Sequence, residues 1–220
     1  DLAATAPFFV LGAVLASSTI ALETHHVGTK YVNLDLSPDD RFLIAGRALW
    51  FYASKLVWPG DLTFIYPRWH VDTGVWWQWL YPVGALAVIA GLWFARRRIG
   101  RGPVTAVLFF AGTLVPALGF VDVFPMVYSF VADHFQYLAS LGLIVLGVAG
   151  VARVVTAPPL RRLAGALAIA AFGTLTWLQT PMYADAEALW EATLLRNPDA
   201  VMARINLANL LLEQGLAAES

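Results

Sequence analysis

The sequence predicts an all-α, polytopic membrane protein, in which about five spanning helices and one interfacial helix precede a helical hairpin. Three observations predict this fold class. Mean hydropathy is +0.66 and only 13% of the residues are charged, against about 25% in soluble domains. Several apolar runs approach the roughly 20 residues needed to cross a bilayer core of about 30 Å. After position 180 the composition shifts to Ala, Leu and Glu with helical spacing. We expect a transmembrane domain over 1–180 and the start of a helical domain over 181–220.

Composition excludes several functional classes. A net charge of −1 gives no reason to expect a nucleic-acid partner, and the absence of cysteine excludes disulfides and thiolate chemistry. No phosphate-binding Gly-rich loop, zinc-protease HExxH or GxSxG motif is present. His25 and His26 are neighbours that point to different faces, although Glu23 and His25 could share a metal in an extended loop. We expect neither a metal nor a cofactor.

The first two apolar segments differ in character. Thr5–Leu22 is a continuous apolar run and predicts a span. Arg41–Pro59 is interrupted by Arg47 and Lys55, which favours an amphipathic helix lying in the interface over one that crosses. The sequence SPDD at 37–40 supplies an N-cap, an early proline and first-turn acids, so this helix is expected to begin there.

An aromatic loop follows the interfacial helix. Because one part of a Trp or Tyr ring is apolar and another can hydrogen-bond, these residues gather at membrane–water interfaces. The loop is therefore interpreted as an aromatic belt, with a sugar-stacking or lipid-binding surface as the alternative. Its aromatic residues include Trp58, Tyr66, Trp69, Trp76, Trp77 and Trp79.

Four further apolar runs predict spans that are joined by short connections. They are Trp77–Ala95, Pro103–Phe120, His134–Val155 and Leu160–Thr180. Two of the turns are rich in arginine, one over 96–101 and one over 153–162, and basic residues in short loops mark the cytoplasmic side. If each run crosses once, both turns share that side. The aromatic loop, the 121–133 loop and the C-terminal tail then face the other compartment. Pro82 and Pro116 are expected to kink their spans.

Asp133 and His134 stand at the mouth of the third of these runs and are the best-placed polar pair. Asp133 could simply cap the helix, and His134 could be an interfacial residue bonded to a neighbour. The functional interpretation is that several polar and basic residues gather around an anionic head group, since guanidinium and helix N–H groups both suit phosphate. The predicted set is Asp133, His134, Tyr137, Arg47, Lys55 and Arg68. Snorkelling to the surface is the alternative for Arg47 and Lys55.

The C-terminal segment predicts two amphipathic helices separated at Asn197-Pro198 and stopped near Gly215. Trp190, this break and Asn206-Leu207-Ala208 resemble a tetratricopeptide (TPR) repeat, whose period is about 34 residues. Because about three such repeats are needed for stability, more are expected to follow in a longer parent chain. The alternative is a plain amphipathic tail that docks on the membrane domain.

The stretch ADHFQYLASLGL at 132–143 is similar to A-D-R-Y-x-Y-L-P-x-x-G-L of the GT-C class of membrane glycosyltransferases, in particular O-mannosyltransferase-like proteins with C-terminal TPR repeats. Residues 45–69 also resemble the loop and interfacial helix before the last spans of such bacterial proteins, and the order of spans and repeats matches. Two of the departures from this pattern matter for binding: His134 stands in place of arginine and Ala139 in place of proline. An arginine at this position would be permanently charged, whereas a histidine is not.

This resemblance implies a sugar transferred from a polyprenyl phosphate to a protein acceptor, on the extracytoplasmic face of the bacterial inner membrane. The predicted partners are membrane lipids, the lipid-linked sugar and a protein bound by the TPR-like region. Members of this family generally place their acidic catalytic residues, which include the base, in a first external loop, and no such loop is expected in this segment, so the catalytic residue is unknown. One alternative is a non-catalytic membrane subunit or scaffold. A transporter is disfavoured because no charge lies in the middle of the four spans.

Overall fold

The computed structural model describes residues 34–215 and scattered positions between 6 and 18. Apart from those positions, the predicted span Thr5–Leu22 and the His25-His26 pair lie outside the described residues. From 34 to 215 the chain forms helices and loops with no strand, as the sequence predicts. Its α-helices are α1 (Pro38–Val57), α2 (Leu80–Ile99), α3 (Gly102–Leu114), α4 (Tyr137–Val154), α5 (Pro158–Gln179), α6 (Ala186–Arg196) and α7 (Val201–Glu213).

Helix α1 begins where its capping chemistry predicts. The Ser37 hydroxyl accepts a hydrogen bond from the Asp40 amide at 3.2 Å, and the Asp40 carboxylate accepts one from the Ser37 amide at 3.0 Å. These reciprocal bonds form a capping box, with Pro38 at the first helical position where its missing N–H costs nothing. The predicted start at 37–40 is confirmed.

Among the described residues, three helical segments are long and apolar enough to cross a membrane: Trp76–Ile99, Asp133–Val154 and Pro158–Tyr183. They coincide closely with three of the predicted spans. The predicted span Pro103–Phe120 is too long, because α3 ends at Leu114 and is followed by a 3-10 turn, Val115–Ala117. Pro116 lies in that turn, since proline cannot donate the amide hydrogen that a continuing helix requires.

The two prolines that are expected to kink their spans lie at helix ends. Pro116 ends the apolar helix rather than bending it. Pro82 is the third residue of α2, a position whose amide has no partner within the helix, so the proline breaks no hydrogen bond there.

We call the end of the bundle that carries the arginine-rich turns the basic end, and the opposite end the aromatic end. Helix α1 contacts residues of the aromatic end and is not among the described segments that are long and apolar enough to span. Its partners include the start of α2 and the 115–136 loop, and the contacting pairs are Arg41–Gly119, Gly46–Pro82, Trp50–Tyr81 and Tyr52–Ala132. It also packs on core residues of α3 and α4. This placement favours the interfacial interpretation of Arg41–Pro59.

The apolar core lies at the aromatic end. Its buried members come from α1, the end of α3, the loops and the start of α4, and they include Ala48, Tyr52, Tyr66, Phe110, Leu114, Leu118 and Val131. Helices α3 and α4 approach closely below it, where a Cβ on Gly142 would lie 2.6 Å from the Ala106 carbonyl oxygen. Helix α5, by contrast, has no buried residue.

Helices α6 and α7 form the predicted helical hairpin, with the turn at 197–200. The helix α7 ends at Glu213, two residues before the predicted stop at Gly215. Asp185 caps α6 by accepting a hydrogen bond from the Ala188 amide at 2.8 Å. Assignment of the hairpin to the TPR family stays a prediction.

Candidate functional site

Asp133 is held by a tyrosine from the aromatic loop. It opens a 3-10 turn, Asp133–Gln136, that leads into α4. The Tyr66 hydroxyl donates a hydrogen bond of 2.8 Å to Asp133 Oδ1. The carboxylate makes no capping bond to the turn, so the N-cap interpretation of Asp133 is wrong. The Ala132 amide donates instead to the Tyr52 hydroxyl at 3.2 Å.

Both tyrosines are rigid supports rather than ionisable groups. Tyr66 is buried and its ring meets that of Phe51 edge to face at 4.9 Å. Burial, reinforced by the charge of Asp133 and the hydrogen bond to it, raises the pKa of Tyr66 far above its ordinary value. Burial likewise raises the pKa of Tyr52. The Tyr66 hydroxyl therefore stays protonated and donates to the carboxylate at any physiological pH.

Lys55 supplies a cation beside this carboxylate. Its ammonium group donates to the Gly60 carbonyl and lies over the rings of Phe51 and Tyr66, at 5.7 and 5.6 Å from their centroids. Lys55 is close enough to Asp133 to interact electrostatically, yet no described carboxylate lies within 4.0 Å of it. Because an ammonium group has three donors, Lys55 can still bind an anion.

These groups open into one cavity of about 560 Å³, the Lys55–Asp133 cavity. Gln136 is only 8% exposed, and its Oε1 atom has no hydrogen-bond partner among the described residues. An unpaired buried acceptor is costly, so this atom is suited to a donor from a ligand. The polar lining consists of Lys55, Asp133, Gln136, Tyr137, Ser140, Gln179 and Tyr183.

An apolar groove continues from this cavity towards the basic end. The α4–α5 groove has a volume of about 530 Å³ and shares Leu56, Ile144 and Phe172 with the cavity. Gly147 and Gly165 keep it open because they carry no side chain, and Arg161 lies at its far end. The Lys55–Asp133 cavity and the α4–α5 groove together form a site that is polar at one end and apolar along the helices at the other.

The structure does not bring all the predicted residues together. Lys55, Asp133 and Tyr137 line the cavity just described. Arg47 and Arg68 line a separate one, the Arg47–Arg68 cavity, whose volume is about 590 Å³. His134 is exposed, packs its ring against Phe135 at 4.5 Å and lines neither cavity.

Sequence reasoning missed Tyr66 and Gln136. The sequence places Tyr66 in the aromatic belt or its sugar-stacking or lipid-binding alternative, and no local spacing links it to Asp133, 67 positions away. Gln136 lies within the quoted motif, three residues after Asp133, which places it at the same end of the span. This proximity to Asp133 could have indicated Gln136 as a site residue, whereas the sequence contains no such indication for Tyr66.

The C-terminal hairpin is seated on the segment that carries Tyr66. Asn197 Nδ2 donates to the Ile65 carbonyl at 3.3 Å, and the rings of Phe64 and Trp190 meet edge to face at 5.5 Å. Ile65 packs in a small core with the buried alanines of α7 and its preceding turn. The hairpin therefore contacts the residues directly before the one that holds Asp133.

No group of three or more acidic or histidine side chains within the described ranges could hold a metal ion. Comparison with known proteins adds no relative: no family model, curated protein or solved structure matches this chain.

Proposed function

We propose that this chain is part of a membrane glycosyltransferase of the GT-C type, which transfers a sugar from a polyprenyl-phosphate donor to a protein acceptor. One observation carries the proposal: the polar Lys55–Asp133 cavity adjoins the apolar α4–α5 groove, with which it shares Leu56, Ile144 and Phe172. A lipid-linked phosphate has the same division, with a charged, hydroxyl-rich head and a long apolar tail. The similarity of 132–143 to the family motif supplies the reaction.

Each part of the cavity matches one part of such a donor. The Lys55 ammonium group binds the phosphate through its remaining donors. Asp133 repels a phosphate but accepts hydrogen bonds from sugar hydroxyls, and the unpaired Gln136 oxygen can do the same. The lipid tail then lies in the groove between α4 and α5, where it buries apolar surface that α5 otherwise leaves open.

The topology follows from the arginine-rich turns. Basic residues in short loops favour the cytoplasmic side, so the basic end faces the cytoplasm of a bacterial inner membrane. The aromatic end, the Lys55–Asp133 cavity and the hairpin then face outwards, where the hairpin presents a protein acceptor. We assign no catalytic residue. The reaction requires a base that removes the acceptor hydroxyl proton while the lipid phosphate leaves.

Donor binding by the purified full chain tests this function. We expect Lys55→Gln to lower the affinity for a polyprenyl-phosphate sugar at least tenfold, and Gly147→Leu to do so by obstructing the groove. Arg204→Gln, on the exposed face of the hairpin, is the matched control and is expected to leave binding unchanged. Wild-type protein that does not bind the donor would contradict the proposal.

His134→Ala is a sharper test of the site boundary. Because its ring is exposed and lines neither cavity, we expect less than a twofold change in donor affinity. A larger loss would extend the head-group site to His134, as the sequence motif predicts.

A second candidate function is a non-catalytic subunit, and the open face of the hairpin favours it. Leu195 is 85% exposed, and Val201, Ile205 and Leu212 are each more than half exposed. Such a face suits a following repeat or a partner protein. Recovery of the chain in a stoichiometric complex that turns over no lipid-linked sugar would favour this function over the enzyme.

A further inference from the structure

Arg47 and Arg68 are the arginines of the aromatic end that lack a hydrogen-bond acceptor in the described part of the chain. The other arginines at that end are engaged: Arg41 with Gly119 and Asp122, Arg196 with Met182, and Arg204 with Pro198 and Asp199. Buried and half-buried polar groups normally find partners. Arg47 is half-buried and Arg68 beside it is exposed, so both guanidinium groups have donors free to bind an added anion.

Aromatic rings fix both guanidinium groups without using their donors. The Arg47 guanidinium carbon lies 4.5 Å from the centroid of the Trp69 ring and 5.8 Å from that of Tyr81. Arg68 lies 4.7 Å from the centroid of Phe130. Such contacts engage the cation through the face of the ring, while the five N–H donors of arginine lie in the guanidinium plane. The donors remain free for a ligand.

Both arginines line the same cavity, and its lining from 34 to 215 contains no carboxylate. One wall is fixed by the buried Gln78, which donates to the His70 carbonyl at 3.4 Å and accepts from the Asp72 amide at 3.2 Å. The cavity thus combines two permanent positive charges with a wall whose own hydrogen bonds are satisfied. Phosphate, which accepts the paired N–H bonds of an arginine fork, suits it best.

We propose that the Arg47–Arg68 cavity binds the phosphate of an anionic phospholipid headgroup, at a site separate from the Lys55–Asp133 cavity. The surroundings favour a bilayer lipid as the source. Trp77 lines the cavity, and the neighbouring Trp76 and Leu80 are 73% and 57% exposed at the start of a candidate span. Exposed apolar residues at this level face acyl chains while the arginines face the headgroup.

The proposal stands independently of the glycosyltransferase function, but Tyr66 links the two cavities. The side chain of Tyr66 lines the Arg47–Arg68 cavity, and its hydroxyl holds Asp133 in the other. A lipid bound at the arginines therefore contacts the support of the donor site without entering it.

Lipid binding by the detergent-purified full chain tests the site. We expect phosphatidylglycerol to bind at least tenfold more tightly than phosphatidylcholine by native mass spectrometry or microscale thermophoresis, with an affinity that falls as salt rises. The double variant Arg47→Gln/Arg68→Gln should lose this preference, whereas Arg204→Gln should keep it. Wild-type protein without the preference, or a double variant that retains it, would overturn the proposal.

Two further measurements test the role of Arg68 and whether the bound phosphate belongs to a lipid or to a soluble molecule. Arg68 is exposed, so Arg68→Gln alone is expected to keep the wild-type melting temperature and still lower phosphatidylglycerol affinity at least threefold. Failure to do so would overturn the role of Arg68. Glycerol 3-phosphate is the soluble probe. If it binds as tightly as the lipid, the anion site stands but the lipid source is wrong.

Discussion

The aromatic end and helix α5 are built in opposite ways. At the aromatic end, α1 and the loops bury tyrosines, methionine and leucine, and hydrogen bonds between distant segments join the pieces. Helix α5 has no buried residue, although it is long and apolar enough to span a membrane. The first region is specified by protein contacts, whereas the second depends on what surrounds it.

This difference explains where binding sites can form. Tight packing at the aromatic end places Lys55, Asp133 and Gln136 at fixed positions, which is what recognition of a polar head requires. The loosely attached α5 leaves an apolar groove that a lipid tail can enter without displacing a packed side chain. The two regions are therefore complementary parts of one binding surface.

The largest expected effect is the difference in stability loss when one methyl group is added at the aromatic end or to α5. A Cβ on Gly46 would lie 2.4 Å from the Pro82 backbone nitrogen, so Gly46→Ala must push α1 away from α2. Overpacking of this kind costs about 3 kcal/mol. Gly173 in α5 has nothing within 4 Å, and Gly173→Ala is expected to change stability by less than about 1 kcal/mol. Unfolding in mixed micelles measures both, and equal losses would contradict the contrast.

The second test removes one oxygen from the aromatic end. Tyr66→Phe keeps the packing of the ring but leaves Asp133 without its donor, at a cost of about 2 kcal/mol in unfolding free energy. We also expect weaker donor binding, since the carboxylate loses its fixed position. Tyr81→Phe is the control because no described residue bonds to the Tyr81 hydroxyl. Should both variants lose the same stability, the hydrogen bond to Asp133 would have no special weight.

The sequence predicted the parts of the fold that depend on local chemistry. The length of the apolar runs located three candidate spans, and the capping residues at 37–40 located the start of α1. The Asn-Pro break located the turn of the hairpin. Each of these signals lies within a few residues of the feature it specifies. The length of α3 was overestimated because Val115, Leu118 and Phe120 are apolar whether or not the helix continues.

The sequence predicted less of the candidate site, because the site is made by contacts between distant segments. The structure brings Lys55 and Asp133 into one cavity, whereas the sequence-based prediction assumes that all outward-facing basic residues converge. The path of the aromatic loop breaks that assumption, since Tyr66 and Trp69 stand between the basic residues and leave Arg47 and Arg68 in a second cavity. The pattern and spacing of apolar and polar residues in the sequence carry no information about the path of a loop.

The third test concerns the hairpin, whose attachment is intermediate between the two regions. Trp190→Ala removes the ring contact with Phe64 and packing near Ile65, and is expected to cost about 1.5 kcal/mol of local stability. Limited proteolysis between α6 and α7 should become faster by about tenfold. Leu195→Ala, at a position that is 85% exposed, should leave the rate unchanged. Equal rates for the two variants would mean that the hairpin is not held by this contact.

The smallest effect is expected at the start of α1. Ser37→Ala removes the capping hydroxyl, and because the Asp40 amide then has no partner, helix stability falls by about 1 kcal/mol. Ser54→Ala, which removes an exposed hydroxyl bonded only to a carbonyl of the same helix, should cost less than about 0.5 kcal/mol.

Since Arg41 in the first turn is paired with Asp122 at 2.9 Å, fraying of this turn would also loosen the 115–136 loop. Hydrogen exchange of the amides at 38–41 and in that loop should therefore rise together in Ser37→Ala. A rise confined to 38–41 would show that the cap stabilises α1 alone.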